Sequence, residues 1–153
     1  MKQTIRVSSA AETEAFGCEL AKRLDSAGIK RAFIALFGEM GVGKTAFTRG
    51  FSSYFGINCV KSPTYTVLNE YRGRAKIHHF DFYRITDGDD LYSIGYDDII
   101  EDDGYSVGEW SENITDFLPS DAIKVTVSRV FSGEVTEQNA DLRTITVESE
   151  KTF

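Results

Sequence analysis

Eight consecutive residues, Gly38 to Thr45, follow the pattern G-x-x-x-x-G-K-T. In such a segment, glycines let successive backbone N–H groups turn inward and form an anion site that a Cβ atom would obstruct. Lys44 adds a positive charge at the β- and γ-phosphates, and the Thr45 hydroxyl is suited to bind Mg²⁺. A helix that begins here directs its free N–H groups and positive dipole end at the same anion. The octet therefore predicts a nucleoside triphosphate site.

The segments on either side of this loop have the composition that such a site requires. Residues 31–37 are mostly apolar and rich in strand formers, which is typical of a buried parallel strand. After the loop, aromatic residues recur at helical spacing, and Gly56 is suited to end the helix; these aromatic residues are Phe47, Phe51, Tyr54 and Phe55. The order of strand, glycine loop and amphipathic helix supports the assignment of the motif.

The rest of the chain alternates between helical and strand patterns. Residues 4–7 predict a strand, and apolar residues at helical spacing predict a helix that ends near Gly28; those residues are Phe16, Leu20, Leu24 and Ala27. Residues 75–81 predict a strand that pairs with the preceding one through a hairpin at 71–74. Short helical pieces are expected around Leu91, Ile94, Ile99 and Ile100.

Three further strands complete the expected fold. Residues 106–110 predict a short strand that ends in an acid. In residues 122–127 and 142–147, apolar and polar residues alternate strongly, which predicts a pair of antiparallel strands. A polar turn around Gly133 and Asn139 would join that pair. We therefore predict a single α/β domain over residues 1–153, a P-loop NTPase-like fold with a mixed parallel and antiparallel central sheet flanked by helices.

A second carboxylate at a strand end beside the loop is needed to hold Mg²⁺ directly or through water. Asp81 and Glu109 both end predicted strands, and their positions alone do not distinguish them. Arg84 is either a charge stabiliser for hydrolysis or an ion-pair partner for the acids that follow it.

Two weaker patterns lie between the loop helix and the second carboxylate. Ser62, Pro63 and Thr64 occupy the place of a switch loop whose hydroxyl senses the γ-phosphate, although such a tripeptide is also common in plain turns. His78 and His79 are adjacent, so on a strand they point to opposite faces and do not readily bind one metal together. We expect one of these histidines to be packed and the other exposed.

Composition limits the possible partners. The chain has 153 residues and a formal charge of −7, which argues against a broad nucleic-acid-binding face. The charge is uneven: residues 61–84 hold five basic residues and two acids, whereas residues 85–116 hold eleven acids and no Lys or Arg. The acidic stretch is either a solvated face or a docking surface for a protein partner. The absence of an apolar span or leader and the isolated Cys18 and Cys59 predict a cytoplasmic protein without membrane contact.

The motifs occur together in one known family. The loop at 38–45, the segments 62–66 and 79–84, and the pair Glu109 and Trp110 resemble, in order and spacing, the bacterial tRNA threonylcarbamoyladenosine biosynthesis ATPases of the TsaE family. The resemblance runs from about Thr13 to Trp110. It implies a small Mg²⁺-dependent ATPase that acts with the transferase TsaD and its companion TsaB, which modify the adenosine next to the anticodon. The family ATPase does not itself transfer the group, and any tRNA contact would be indirect or local.

The resemblance also implies roles for individual residues. The phosphates would be held by the loop residues Glu39, Met40, Gly41, Val42, Gly43 and Lys44. Thr45 and Glu109 would bind Mg²⁺, and Asp81 would orient the attacking water or support the metal. The catalytic set is then Lys44, Asp81 and Glu109. Thr13 would lie beside the adenine of ATP, and Trp110 would lie near the nucleotide.

Other classes of nucleotide-binding protein fit less well. A regulatory GTPase would need an Asn-Lys-x-Asp motif, which the sequence lacks, although a regulatory P-loop switch outside tRNA modification remains an alternative. A small-molecule kinase would need a lid with several arginines, whereas the stretch after Arg84 is acidic. A nucleic-acid-binding module is disfavoured by the overall charge, and residues 61–84 leave room only for a local contact.

Overall fold

The computed structural model describes residues 1–61, 66–130, 135–137 and 139–153. Seven strands form one sheet in the order β1-β7-β6-β2-β5-β4-β3. The strands are β1 Lys2–Val7, β2 Arg31–Phe37, β3 Leu68–Arg72, β4 Lys76–Asp81, β5 Gly104–Glu109, β6 Ile123–Arg129 and β7 Arg143–Glu148. The helices are α1 Ala10–Ser26, α2 Lys44–Tyr54, α3 Gly88–Ser93 and α4 Tyr96–Glu101, and a 3₁₀ segment covers Ser111–Phe117.

The sheet is parallel in the middle and antiparallel at its sides. Strand β2 runs parallel to both β5 and β6, and β4 runs parallel to β5. The hairpin β3-β4 closes one side, and β7 joins β6 to β1 by antiparallel pairing on the other. The mixed sheet, the hairpin and the antiparallel pair predicted from the sequence are confirmed. Because β2 lies between two parallel neighbours, its carboxyl end adjoins the ends of β5 and β6.

Helices cover both faces of the sheet. Helices α1 and α2 pack on one face, where Leu20, Leu24, Phe47 and Phe51 are fully buried. The other face carries α3, α4 and the 3₁₀ segment around an aromatic cluster that contains Phe33, Phe80, Phe82 and Tyr96. The short helical pieces expected between residues 91 and 100 are therefore present. Ala27, expected on the apolar face of α1, instead caps this helix and is exposed.

Helices α1 and α2 touch backbone to backbone. A Cβ atom built on Gly50 would lie 1.9 Å from the Glu14 carbonyl oxygen, and one built on Gly17 would lie 2.3 Å from that of Phe47. No side chain larger than hydrogen fits at either position without moving a helix. This contact fixes the distance between α1 and the helix that begins at the phosphate loop.

Two sequence expectations lie outside the described residues, the switch role of Ser62, Pro63 and Thr64 and the turn at Gly133. No helix in the described part of the chain is long and apolar enough to cross a bilayer.

Candidate functional site

The glycine loop joins the carboxyl end of β2 to the first turn of α2. Three of its residues have positive φ angles, namely Gly38 (143°), Gly41 (78°) and Gly43 (120°). Residues with a Cβ rarely adopt these angles, so the glycines are what permits the tight path of the loop. Gly43 also occupies the N-cap of α2 and offers no side chain to cap it. The first N–H groups of α2 therefore remain available to an anion.

Lys44 lies folded along this loop. Its Nζ donates a hydrogen bond to the Gly38 carbonyl at 2.6 Å and lies 3.5 Å from the ring centroid of Trp110. Only 5% of the residue is exposed, and this burial lowers the pKa of Lys44, although negative charges on Glu112, Glu109 and Asp81 oppose the shift. The ammonium group is therefore positioned before any phosphate arrives, in a site where a polyanion would improve its electrostatic environment.

Glu109 connects α2 to the sheet. Thr45 Oγ1 donates to Glu109 Oε1 at 3.0 Å, and Glu109 Oε2 lies 2.5 Å from His79 Nε2. Only 6% of the Glu109 residue is exposed. Both of its oxygens are thus bound by side chains from two other elements, which determines the direction in which the carboxylate faces.

Asp81 ends β4 directly beside Glu109. The two acids are register partners on neighbouring parallel strands. Asp81 Oδ1 accepts a hydrogen bond from the Tyr83 N–H at 3.0 Å. Burial raises the pKa of Asp81, and the neighbouring Glu109 raises it further. The pair therefore places two negative charges close together at the carboxyl edge of the parallel strands, where the loop follows β2. A bound cation would reduce the repulsion between these charges.

The side chains at this edge suit a hard divalent cation. A hydroxyl from Thr45 and carboxylates from Glu109 and Asp81 are oxygen ligands of the kind that Mg²⁺ prefers. Within the described residues, no group of three or more His, Cys, Asp or Glu side chains forms a complete metal cage. Mg²⁺ usually keeps several waters and binds substrate phosphates besides one or two carboxylates, so an incomplete protein set is what this ion requires.

A cavity of about 480 Å³ brings these groups together. Its lining consists of Met40, Gly41, Gly43, Lys44, Thr45, Ala46, Asp81, Tyr83, Arg84, Glu109 and Trp110. Arg84 is exposed at this cavity, and no ion pair joins it to an acid in the part of the chain that is described. The interpretation of Arg84 as a partner for the following acids therefore has no support in the described contacts.

The remaining predicted site residues lie around the loop rather than in the cavity lining. Val42 packs into the core, and Glu39 is exposed, with its carboxylate 4.0 Å from Arg129. Thr13 is 2% exposed, and its hydroxyl donates to the carbonyl of Ser9, the N-cap residue of α1. A Cβ on Gly43 would lie 3.7 Å from the Thr13 methyl group, so Thr13 adjoins the loop. Its role beside the adenine stays a prediction.

Trp110 follows Glu109 and turns the chain sharply. Its φ of 61° makes it the one non-glycine residue with positive φ among those described. Such backbone angles cost about 1–3 kcal/mol and cluster at functional sites. The turn places the indole ring over Lys44 and against Tyr83, with ring centroids 5.1 Å apart. The expectation that Trp110 lies near the nucleotide stays a prediction.

Comparison with known proteins identifies the family. The family model for the threonylcarbamoyl adenosine biosynthesis protein TsaE matches residues 7–136. The chain belongs to the TsaE family.

Named TsaE proteins and one solved structure are similar to this TsaE-family protein over much of its length. The TsaE protein of Haemophilus influenzae is 40% identical over 100 residues, which cover 64% of this chain and 63% of the relative. That of Bacillus subtilis is 34% identical over 103 residues, 66% of this chain and 64% of the relative. The match thus spans less than two thirds of these two relatives, whereas it spans 90% of the Treponema pallidum TsaE protein at 29% identity. The crystal structure of Bacillus subtilis YdiB aligns with a TM-score of 0.71 and 28% identity, covering 97% of this chain and 86% of that chain.

Two features of this TsaE-family site were not predicted. The expectation of one packed and one exposed histidine is wrong, because His78 is 3% and His79 0% exposed. Both faces of β4 are buried, because Ile77 on one face and Phe80 on the other are also fully buried. Glu112 was also not recognised: its carboxylate accepts a hydrogen bond from the Gly38 N–H at 3.0 Å. The position of His79 two residues before Asp81, on the same strand face, was the available signal for its role.

Proposed function

We propose that this protein is a Mg²⁺-dependent ATPase of the cytoplasm that supports threonylcarbamoyladenosine formation next to the anticodon of tRNA. The observation that carries the proposal is the shared cavity of Lys44, Thr45, Asp81 and Glu109 at the carboxyl edge of the parallel strands. Those four residues supply the phosphate charge, the hydroxyl and the carboxylates that phosphoryl transfer uses. Membership of the TsaE family supports a role in threonylcarbamoyladenosine biosynthesis.

Each of these side chains has a task in the proposed hydrolysis. The backbone N–H groups of Gly41 to Lys44 hold the phosphates, and Lys44 neutralises charge on the β- and γ-phosphates. Thr45 and Glu109 would hold Mg²⁺, which would supply positive charge to the phosphates of the nucleotide. Asp81, whose raised pKa favours proton acceptance, orients the attacking water.

Arg84 completes the charge arrangement. It lies at the cavity without a described ion pair, so its guanidinium is free to turn toward transferred phosphate oxygens. An arginine in this place stabilises charge that appears only in the transition state. Its task in the proposed reaction is therefore to raise turnover rather than ground-state affinity.

We propose that a TsaD-TsaB type transferase complex responds to ATP binding and hydrolysis by this protein. The family ATPase would act on that complex between turnovers rather than on tRNA itself. Helices α3 and α4 and the residues around them carry most of the acids of the stretch 85–116, and many of these acids are exposed. A net negative surface suits a basic protein partner better than a nucleic acid.

Steady-state hydrolysis with and without a TsaD-TsaB pair tests the proposal. We expect slow ATP hydrolysis by the isolated chain and faster hydrolysis with the pair. Lys44→Ala should abolish nucleotide binding, whereas Glu109→Ala should retain binding and lose Mg²⁺-dependent turnover. Arg72→Ala, on the exposed strand β3, is the control and should behave as the wild type. Equal hydrolysis with and without the partners would contradict the coupling, and unchanged nucleotide affinity in Lys44→Ala would contradict the assignment of the loop.

A further inference from the structure

His79 is fully buried beside the proposed metal site and has no task in the mechanism above. Its Nε2 lies 2.5 Å from Glu109 Oε2, while its Nδ1 is buried without a hydrogen-bond partner among the described residues. A carboxylate oxygen accepts hydrogen bonds, so we take Nε2–H as the donor in this contact. The contact fixes the orientation of the imidazole ring against Glu109.

The geometry points to His79 as the positioning residue for Glu109. We infer that its Nε2–H holds one carboxylate oxygen, so that the other oxygen faces Thr45 and the cation. Thr45 Oγ1 is 3.0 Å from that other oxygen, on the side of the phosphate loop. This inference rests on the proposed function, because it assigns a task toward the Mg²⁺ that the nucleotide brings.

The strand register explains why His79, and not the adjacent His78, reaches Glu109. On β4, His79 pairs with Val107, and Glu109 lies two residues further along β5 on the same face. Diagonal neighbours on adjacent strands are within reach of long side chains. His78 points to the opposite face, where its ring nitrogens lie 3.8 Å from carboxylate oxygens of Glu70 and Asp102. The two histidines therefore share burial and sequence context but not the contact with Glu109.

Hydrogen-bond partners of metal ligands have a measurable effect. Loss of such a partner typically costs about 10–100-fold in metal affinity or activity. Replacement by leucine removes the Nε2–H from Glu109. Glutamine restores an N–H donor at about the distance of Nε2, whereas the shorter asparagine places its amide near the position of Nδ1 and does not reach the carboxylate.

The test uses Mn²⁺ as a paramagnetic probe for the cation site. Electron paramagnetic resonance of free Mn²⁺ gives its affinity for the complex of protein and ADP. Fluorescence of the single tryptophan, Trp110, gives the affinity for ADP in EDTA. We compare the wild type with the variants His79→Leu, His79→Gln and His79→Asn, and use His78→Leu as the matched control.

We expect His79→Leu and His79→Asn to weaken Mn²⁺ binding by about 10–100-fold and His79→Gln to remain within about threefold of the wild type. ADP affinity in EDTA should stay unchanged in all variants, and His78→Leu should bind Mn²⁺ as the wild type does. If His79→Leu does not fold, the comparison of His79→Gln with His79→Asn decides. Equal Mn²⁺ affinity across these variants, or an equal loss in His78→Leu, would overturn the positioning role alone. Failure of the wild type to bind Mn²⁺ with ADP would overturn the proposed function.

Discussion

Replacement of Gly50 by alanine tests the backbone contact between α1 and α2. The new Cβ would lie 1.9 Å from the Glu14 carbonyl oxygen and 2.5 Å from its carbon. Ordinary contacts of a Cβ begin at 3.4 Å, so the helices must separate locally by about 1.5 Å. Both obstructing atoms belong to the backbone, and no side-chain rotation relieves the overlap.

The cost follows from two opposing terms. Overpacking of a buried contact costs typically about 1–3 kcal/mol and occasionally more, and this overlap with an immobile helix belongs at the upper end. In a helix interior, alanine is more favourable than glycine by about 1 kcal/mol, which offsets part of this cost. We therefore expect a net loss of about 2 kcal/mol in the free energy of unfolding. For a chain of this size, that loss lowers the Tm by roughly 4–8 °C.

Thermal and urea unfolding followed by circular dichroism measures this change. Gly17→Ala should give a similar loss, because it creates the same type of overlap from the other helix, 2.3 Å from the Phe47 carbonyl oxygen. Gly28→Ala is the control: its φ of 75° is unfavourable for alanine, but nothing lies within 4 Å of the new Cβ. A Gly50→Ala protein as stable as the wild type would refute the close approach of the helices.

Three further outcomes concern charge and ionisation. Burial raises the pKa of Asp81, so its ionised form is unfavourable in the folded state. Asp81→Asn should therefore raise the Tm of the metal-free protein at pH 7 while it slows ATP hydrolysis. This gain in Tm should disappear as the pH is lowered toward 3.8, the ordinary pKa of Asp. Arg84→Ala should lower kcat by roughly 10²-fold with little change in ADP affinity, measured by steady-state kinetics and titration. Burial also raises the pKa of Tyr105 from its ordinary value of 10.0 to about 12. The free energy of unfolding should therefore decrease as the pH rises from 10.0 to about 12, and it should decrease less in Tyr105→Phe.

The parts of the fold that local patterns determine were predictable. The loop at 38–45 was recognisable because glycine, lysine and threonine at fixed spacing reflect one backbone geometry. The alternation of β6 and β7 predicted their pairing, and Asp81 and Glu109 were recognised as strand-end acids. In each case, the information lies within a few consecutive residues.

The features that were missed depend on how distant segments align. The contact of His79 with Glu109 requires the register of β4 against β5, which separate strand patterns do not specify. The burial of His78 follows from the helices on the second face of the sheet, and that coverage is a property of the whole fold. The bond from Gly38 to Glu112 joins residues 74 positions apart. Such contacts arise from topology rather than from local propensity.

The alternation of β4 has a consequence for how the chain folds. Because both faces of this strand are buried, a slip of one residue against β5 would turn His79 toward the aromatic cluster and Phe80 toward the carboxylates. Only the correct register assembles the proposed site for nucleotide and cation. Binding at that site would add free energy to this register alone, by mass action. We therefore expect refolding in the presence of nucleotide to enrich correctly aligned chains.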